Sequence, residues 1–114
     1  MSRSPRVIAV QMPMTRKAGV VKPAFDFGPA EQYGELEILA SNGNHILTPD
    51  VFRHMLEKSL ADFDPETDYI IPAGDYAVLF FVGMILGDRF KTIRILRWVP
   101  DAKAYQPLSL DIRR

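Results

Sequence analysis

Residues 68–87, DYIIPAGDYAVLFFVGMILG, constrain this chain more than any other stretch. A short apolar strand runs into Ala73-Gly74-Asp75, and an almost wholly apolar helix follows. That is the strand-to-helix joint of an α/β domain. It puts a glycine turn and a carboxylate outside the carboxyl end of a strand, where open α/β sheets hold ligands. The helix, Tyr76 to Gly87, carries no charge between Asp75 and Asp88. It is too short to cross a bilayer, which takes about 20 apolar residues. It reads as a buried helix, and as one that 114 residues can hardly cover alone.

The rest of the pattern agrees with this joint. Val7 to Met12 is rich in β-branched residues and ends at Pro13, which predicts a strand. Residues 13–33 carry Pro13, Pro23, Pro29, Gly19 and Gly28 without a clear period, and read as a long irregular connection pinned by Phe25-Asp26-Phe27. Gly34 to Ser41 alternates and predicts a strand with one wetter face. Thr48-Pro49-Asp50 opens a helix, with threonine as cap and proline at the first helical position. Val51, Phe52, Met55, Leu56, Ser59, Leu60 and Phe63 then form an apolar stripe, and Asp64-Pro65 stops it. Thr92 to Val99 and Ala104 to Ile112 read as a hairpin. Pro107 cannot donate a ladder hydrogen bond, so that last strand belongs at a sheet edge.

The order is β-β-α-β-α-β-β. It predicts one small α/β domain over residues 1–114, with a mixed sheet of about five strands and two main helices. The strand–helix–strand–helix–strand middle should run parallel. The chain has no cysteine, so disulfides, thiolate zinc sites and thiol nucleophiles are excluded. Apolar Val7 to Val10 is too short for a signal-peptide core, and a cytoplasmic location is the expectation.

Charge is segregated although the net charge is zero. Residues 1–25 hold Arg3, Arg6, Arg16, Lys17 and Lys22 and no acid. Residues 26–75 hold eleven acids against Arg53 and Lys58. Residues 76–114 are again basic. Either the basic ends form a face for phosphate or an acidic partner, or they lie against the acidic middle.

Chemistry-bearing motifs are few. Gly74 and Asp75, with Asn42 and Gly43 in the loop after the second strand, are the candidate ligand-binding residues. Asp75 argues against phosphate, because it brings its own negative charge and caps the free backbone N–H groups. There is no GxGxxG, no glycine-rich lysine loop and no GxSxG elbow. His45 and His54 do not form a metal-ligand pair. Asp62, Asp64, Glu66 and Asp68 lack the central glycine and the closing glutamate of a calcium loop. No metal and no cofactor are expected. Lys91, Arg94 and Arg97 with Trp98 and Tyr105 mix charge and aromatic rings, as single-stranded nucleic-acid surfaces do. Phe80, Gly83, Met84 and Gly87 are candidates for a homodimer interface, with the glycines allowing close approach.

The chain resembles a group of short uncharacterised proteins encoded by bacteriophages and mobile elements. The landmarks are Ala9-Val10-Gln11, Tyr33-Gly34-Glu35-Leu36, Asp68-Tyr69-Ile70-Ile71 with Gly74-Asp75, and Leu96-Arg97-Trp98 with Tyr105-Gln106-Pro107. The resemblance implies a small accessory role and no catalytic residue. The expected function is non-catalytic binding of a protein partner, from host or phage. The alternatives are a nucleotide-binding or nucleotide-processing enzyme at the Gly74-Asp75 turn, and nucleic-acid binding through the Arg94–Arg97 strand.

Overall fold

Alternating runs punctuated by glycine and proline build a sheet whose two faces are covered differently. The computed structural model describes residues 4–12, 14–23, 26–40 and 49–111. In chain order the elements are β1 (Arg6–Ala9), β2 (Met14–Lys17), β3 (Val20–Pro23), a 3-10 helix η1 (Gly28–Tyr33), β4 (Glu35–Ile38), α1 (Pro49–Ser59), β5 (Tyr69–Ile71), α2 (Tyr76–Arg89), β6 (Thr92–Val99) and β7 (Ala104–Asp111). The main sheet has the order β4-β1-β5-β6-β7. β1 runs parallel to β4 and β5, β5 runs parallel to β6, and β7 returns antiparallel to β6. The mixed five-stranded α/β architecture is the expected one. Pro107 lies on the edge strand, opposite Leu96.

Alternation along the strands sorts the side chains. Ile8, Val10, Ile70 and Ile93 face Phe52, Leu56 and Leu60 of the first helical segment and Val78, Val82, Ile85 and Leu86 of α2. The opposite face gathers Val7, Ala9, Ile71, Leu96 and Tyr105 under Phe27 and Ala30. β1 is therefore buried along its whole length, as a strand covered on both faces must be.

Three details depart from the reading of the chain. The stretch 13–33 is not one irregular connection. It holds the β2–β3 hairpin, turned at Ala18 and Gly19 with φ of 53° and 78°, and then η1. Two successive positive φ values fit the right-handed twist of a two-residue hairpin, a turn usually signalled by Asn-Gly. Ala18-Gly19 does not carry that signal. Next, α1 ends at Ser59, short of Asp64-Pro65, and its stripe is narrower than the sequence suggests. Phe52, Leu56, Leu60 and Phe63 are buried, whereas Val51 and Met55 are exposed. Arg89 donates to the carbonyls of Leu60 and Ala61 at 2.8 and 3.1 Å, so a cation from α2 satisfies the end of the first helical segment. Last, α2 runs to Arg89, which makes Gly87 a helix-interior residue rather than its stop. Thr48, the expected cap of α1, lies outside the described residues.

Among the described residues, no helix is long and apolar enough to cross a membrane.

Candidate functional site

The carboxyl ends of β5 and β6 open into a cleft of about 660 Å³. Its floor is Ile71 and Leu96, on two adjacent parallel strands. Phe27 closes one side, from the segment that leads into η1, and Tyr76 and Leu79 of α2 close another. Trp98 and Tyr105 form the end wall. They are directly paired across β6 and β7, and their rings meet edge to face with centroids 5.0 Å apart. Asp26 and Arg97 are the charged side chains of the lining.

Each wall is held by a local reason. The Asp26 carboxylate accepts the Gly28 N–H at 2.8 Å, an Asx turn that starts η1 and seats Phe27 against Val7 and Ala9. The Tyr33 hydroxyl donates to the Tyr105 carbonyl at 3.3 Å and ties η1 to β7. Burial, and then the nearby Asp26 carboxylate, push the Tyr105 phenol above its ordinary range, so it stays protonated at neutral pH.

The Gly74-Asp75 turn borders this cleft, but its carboxylate serves the helix. Asp75 Oδ1 accepts the Ala77 N–H at 2.8 Å and caps α2. The Asp75 N–H donates to Gln11 Oε1 at 2.7 Å. Gly74 has φ of 133° and lines the cleft with its backbone. The arrangement favours an apolar guest. It presents aromatic walls and an aliphatic floor, with Asp26 and Arg97 as the charged lining among the described residues.

A family model described as Phage Pam3 gp32-like protein matches residues 5–112. The chain belongs to this phage family. No curated protein and no solved structure matches the chain.

In this phage protein the residues singled out from the sequence fall into three places. Gly74, Arg97, Trp98 and Tyr105, which the sequence assigned to two different sites, share the cleft. Asp75 does not line it. Asn42, Gly43, Ser41 and His45 lie outside the described residues. Lys91, Arg94 and Arg97 do not make one basic face. Arg94 and Arg97 are three apart on a strand and leave it on opposite sides. Arg94 donates to the Glu66 carbonyl and, at 3.2 Å, to the Tyr69 hydroxyl, with its guanidinium over the Tyr69 ring. It holds β6 against the loop before β5. Phe80, Gly83 and Met84 are exposed on the outer side of α2, with Gly87 half-buried beside them.

The sequence reading missed the main electrostatic feature. Asp68 is completely buried and Arg6 nearly so. The Arg6 guanidinium meets Asp68, Asp62 and Glu37 at 3.3, 3.2 and 3.0 Å. Asp68 also accepts the backbone N–H groups of Arg6 and Asp64 at 3.0 and 2.9 Å. At this point the basic amino end does lie against the acidic middle. The available signal was an acid at the mouth of an apolar strand, and it did not name the partner. Phe27 and Gln11 were also missed as site residues. Among the described residues, no group of three or more histidine, aspartate or glutamate side chains is arranged to hold a metal ion.

The capping role of Asp75 has a measurable consequence. Asp75→Ala should lower stability by about 1 kcal/mol, and Asp75→Asn should keep most of it, because asparagine caps equally well. Thermal melts of the two variants decide this. Equal losses would mean that the charge, and not the cap, is what the turn needs.

Proposed function

We propose that this phage protein acts by contact, taking an apolar side chain of a protein partner into the cleft between β5, β6 and α2. The observation that carries this reading is the lining itself. Tyr76, Trp98 and Tyr105 with Arg97 are the residue types that dominate binding energy at protein interfaces, and here they surround one concave apolar site. Asp26 and Arg97 supply opposite charges at the same site, which would orient a partner strand or loop. The Asp75 carboxylate, the group that an enzyme at this turn would use, is held by its own helix.

The test is a pull-down of the tagged full chain from host lysate, with and without nuclease, repeated with Trp98→Ala. A stoichiometric protein that survives nuclease and is lost from the variant is the expected result. Loss of one such anchor is worth about 2 kcal/mol, or roughly 30-fold in affinity. Capture that disappears with nuclease, or that ignores Trp98→Ala, would overturn the proposal. So would an empty eluate.

A further inference from the structure

The outer face of α2 is apolar and uncovered. Tyr76, Phe80 and Met84 are 82%, 74% and 69% exposed. With Gly83 and Gly87 they recur at i, i+4, i+7, i+8 and i+11 and occupy one arc of the helix, opposite buried Val78, Val82, Ile85 and Leu86. Among the described residues, nothing packs over the Cα of Gly83. A Cβ built there meets nothing within 4 Å, although glycine inside a helix is unfavourable. A shallow groove bounded by Tyr76, Leu79, Phe80 and Met84 runs over it.

We propose that a second copy of this chain covers this face, with the two α2 helices antiparallel. The ring of Phe80 on each copy then sits in the notch at Gly83 of the other. Tyr76 lies over half-buried Gly87, and Met84 lies against Leu79. One register satisfies all three pairs. The rings of Tyr76 and Phe80 are four residues apart, and so are the glycines Gly83 and Gly87. At 1.5 Å per residue both pairs are spaced by about 6 Å. Running the chains in opposite directions makes the fit reciprocal, which closes a two-fold dimer. A parallel pairing would need a shift of seven residues. It would leave one copy's rings unmatched and would not close. An unrelated partner would have no reason to repeat this spacing of rings and gaps. No charged side chain interrupts the stretch from Tyr76 to Gly87, so the contact traps no unpaired charge.

This dimer uses the outer face of α2 and does not depend on the cleft reading, although Tyr76 and Leu79 border both surfaces. Its test therefore leaves Tyr76 and Trp98 untouched. Sedimentation equilibrium of the full chain, from micromolar to submillimolar concentration, should show a monomer–dimer equilibrium. Phe80→Glu and Gly83→Leu should each raise the dissociation constant at least tenfold. Gly83→Leu faces open space in the monomer and improves helix propensity, so its circular dichroism should stay native. The double exchange Phe80→Gly with Gly83→Phe puts ring and notch back in register, and should recover dimerisation lost in either single variant. A monomer at every concentration would overturn the proposal. So would a dimer indifferent to Gly83→Leu, or a double exchange that recovers nothing.

Discussion

Asp68→Ala is expected to remove about 3–5 kcal/mol of stability, because it leaves the Arg6 guanidinium buried without its innermost partner. The same change strips an acceptor from the N–H groups of Arg6 and Asp64, at the start of β1 and in the loop before β5. Proteins of this size are stable by about 5–15 kcal/mol in total, so the loss brings the chain close to unfolding. Asp62 binds the same guanidinium but is two-thirds exposed, and its alanine variant should lose less than about 1 kcal/mol. Urea unfolding of the two variants, followed by circular dichroism, separates the buried anchor from the exposed contact. Comparable small shifts for both would show that the Asp68 pair contributes no more than a surface pair.

Gly74→Ala is expected to lower stability by about 3 kcal/mol and to damage the cleft at the same time. Two effects add. The backbone there has φ of 133°, which side-chain-bearing residues adopt only at about 1–3 kcal/mol. The new Cβ would also lie 2.5 Å from Gln11 Oε1 and 2.8 Å from Gln11 Cβ. Gln11 is buried, and its Oε1 is the acceptor for the Asp75 N–H, so it cannot move away without freeing the first turn of α2. Overpacking of this kind adds about 1–3 kcal/mol. Thermal unfolding measures the stability, and fluorescence of Trp98, the only tryptophan, reports on the cleft. A variant with native melting and native emission would mean that the turn relaxes freely, and that Gly74 is not needed to shape the cleft wall.

The features that could be read from the chain are those set within a few residues. Alternation placed Ile93 and Ile95 on one side of β6 and Leu96 and Trp98 on the other, and both assignments hold. Gly74-Asp75 reads as a turn and cap because glycine tolerates the backbone angle and the carboxylate reaches the free N–H groups. The β2–β3 hairpin was missed because Ala18-Gly19 replaces the usual asparagine with alanine, which is rare at positive φ. The partnership of Arg6 with Asp68 was missed because 62 residues separate them, and no local periodicity records such a contact.

By itself the sequence determined the class of this phage protein. The succession of the five main-sheet strands and the two helices, the facing of side chains on β6, the edge position of Pro107 and the capped start of α2 follow from backbone preferences and apolar spacing, which act over one or two turns. Tertiary structure alone decided strand order, and with it the site. Because β5 lies beside β6, Gly74 meets Trp98 and Tyr105, and because η1 folds across the far face, Phe27 closes the wall. It also decided which side of an evenly apolar helix stays uncovered. Two helices share one face of a five-stranded sheet, and α2 can turn only one of its sides toward that sheet. The side it cannot bury carries Phe80 and Gly83.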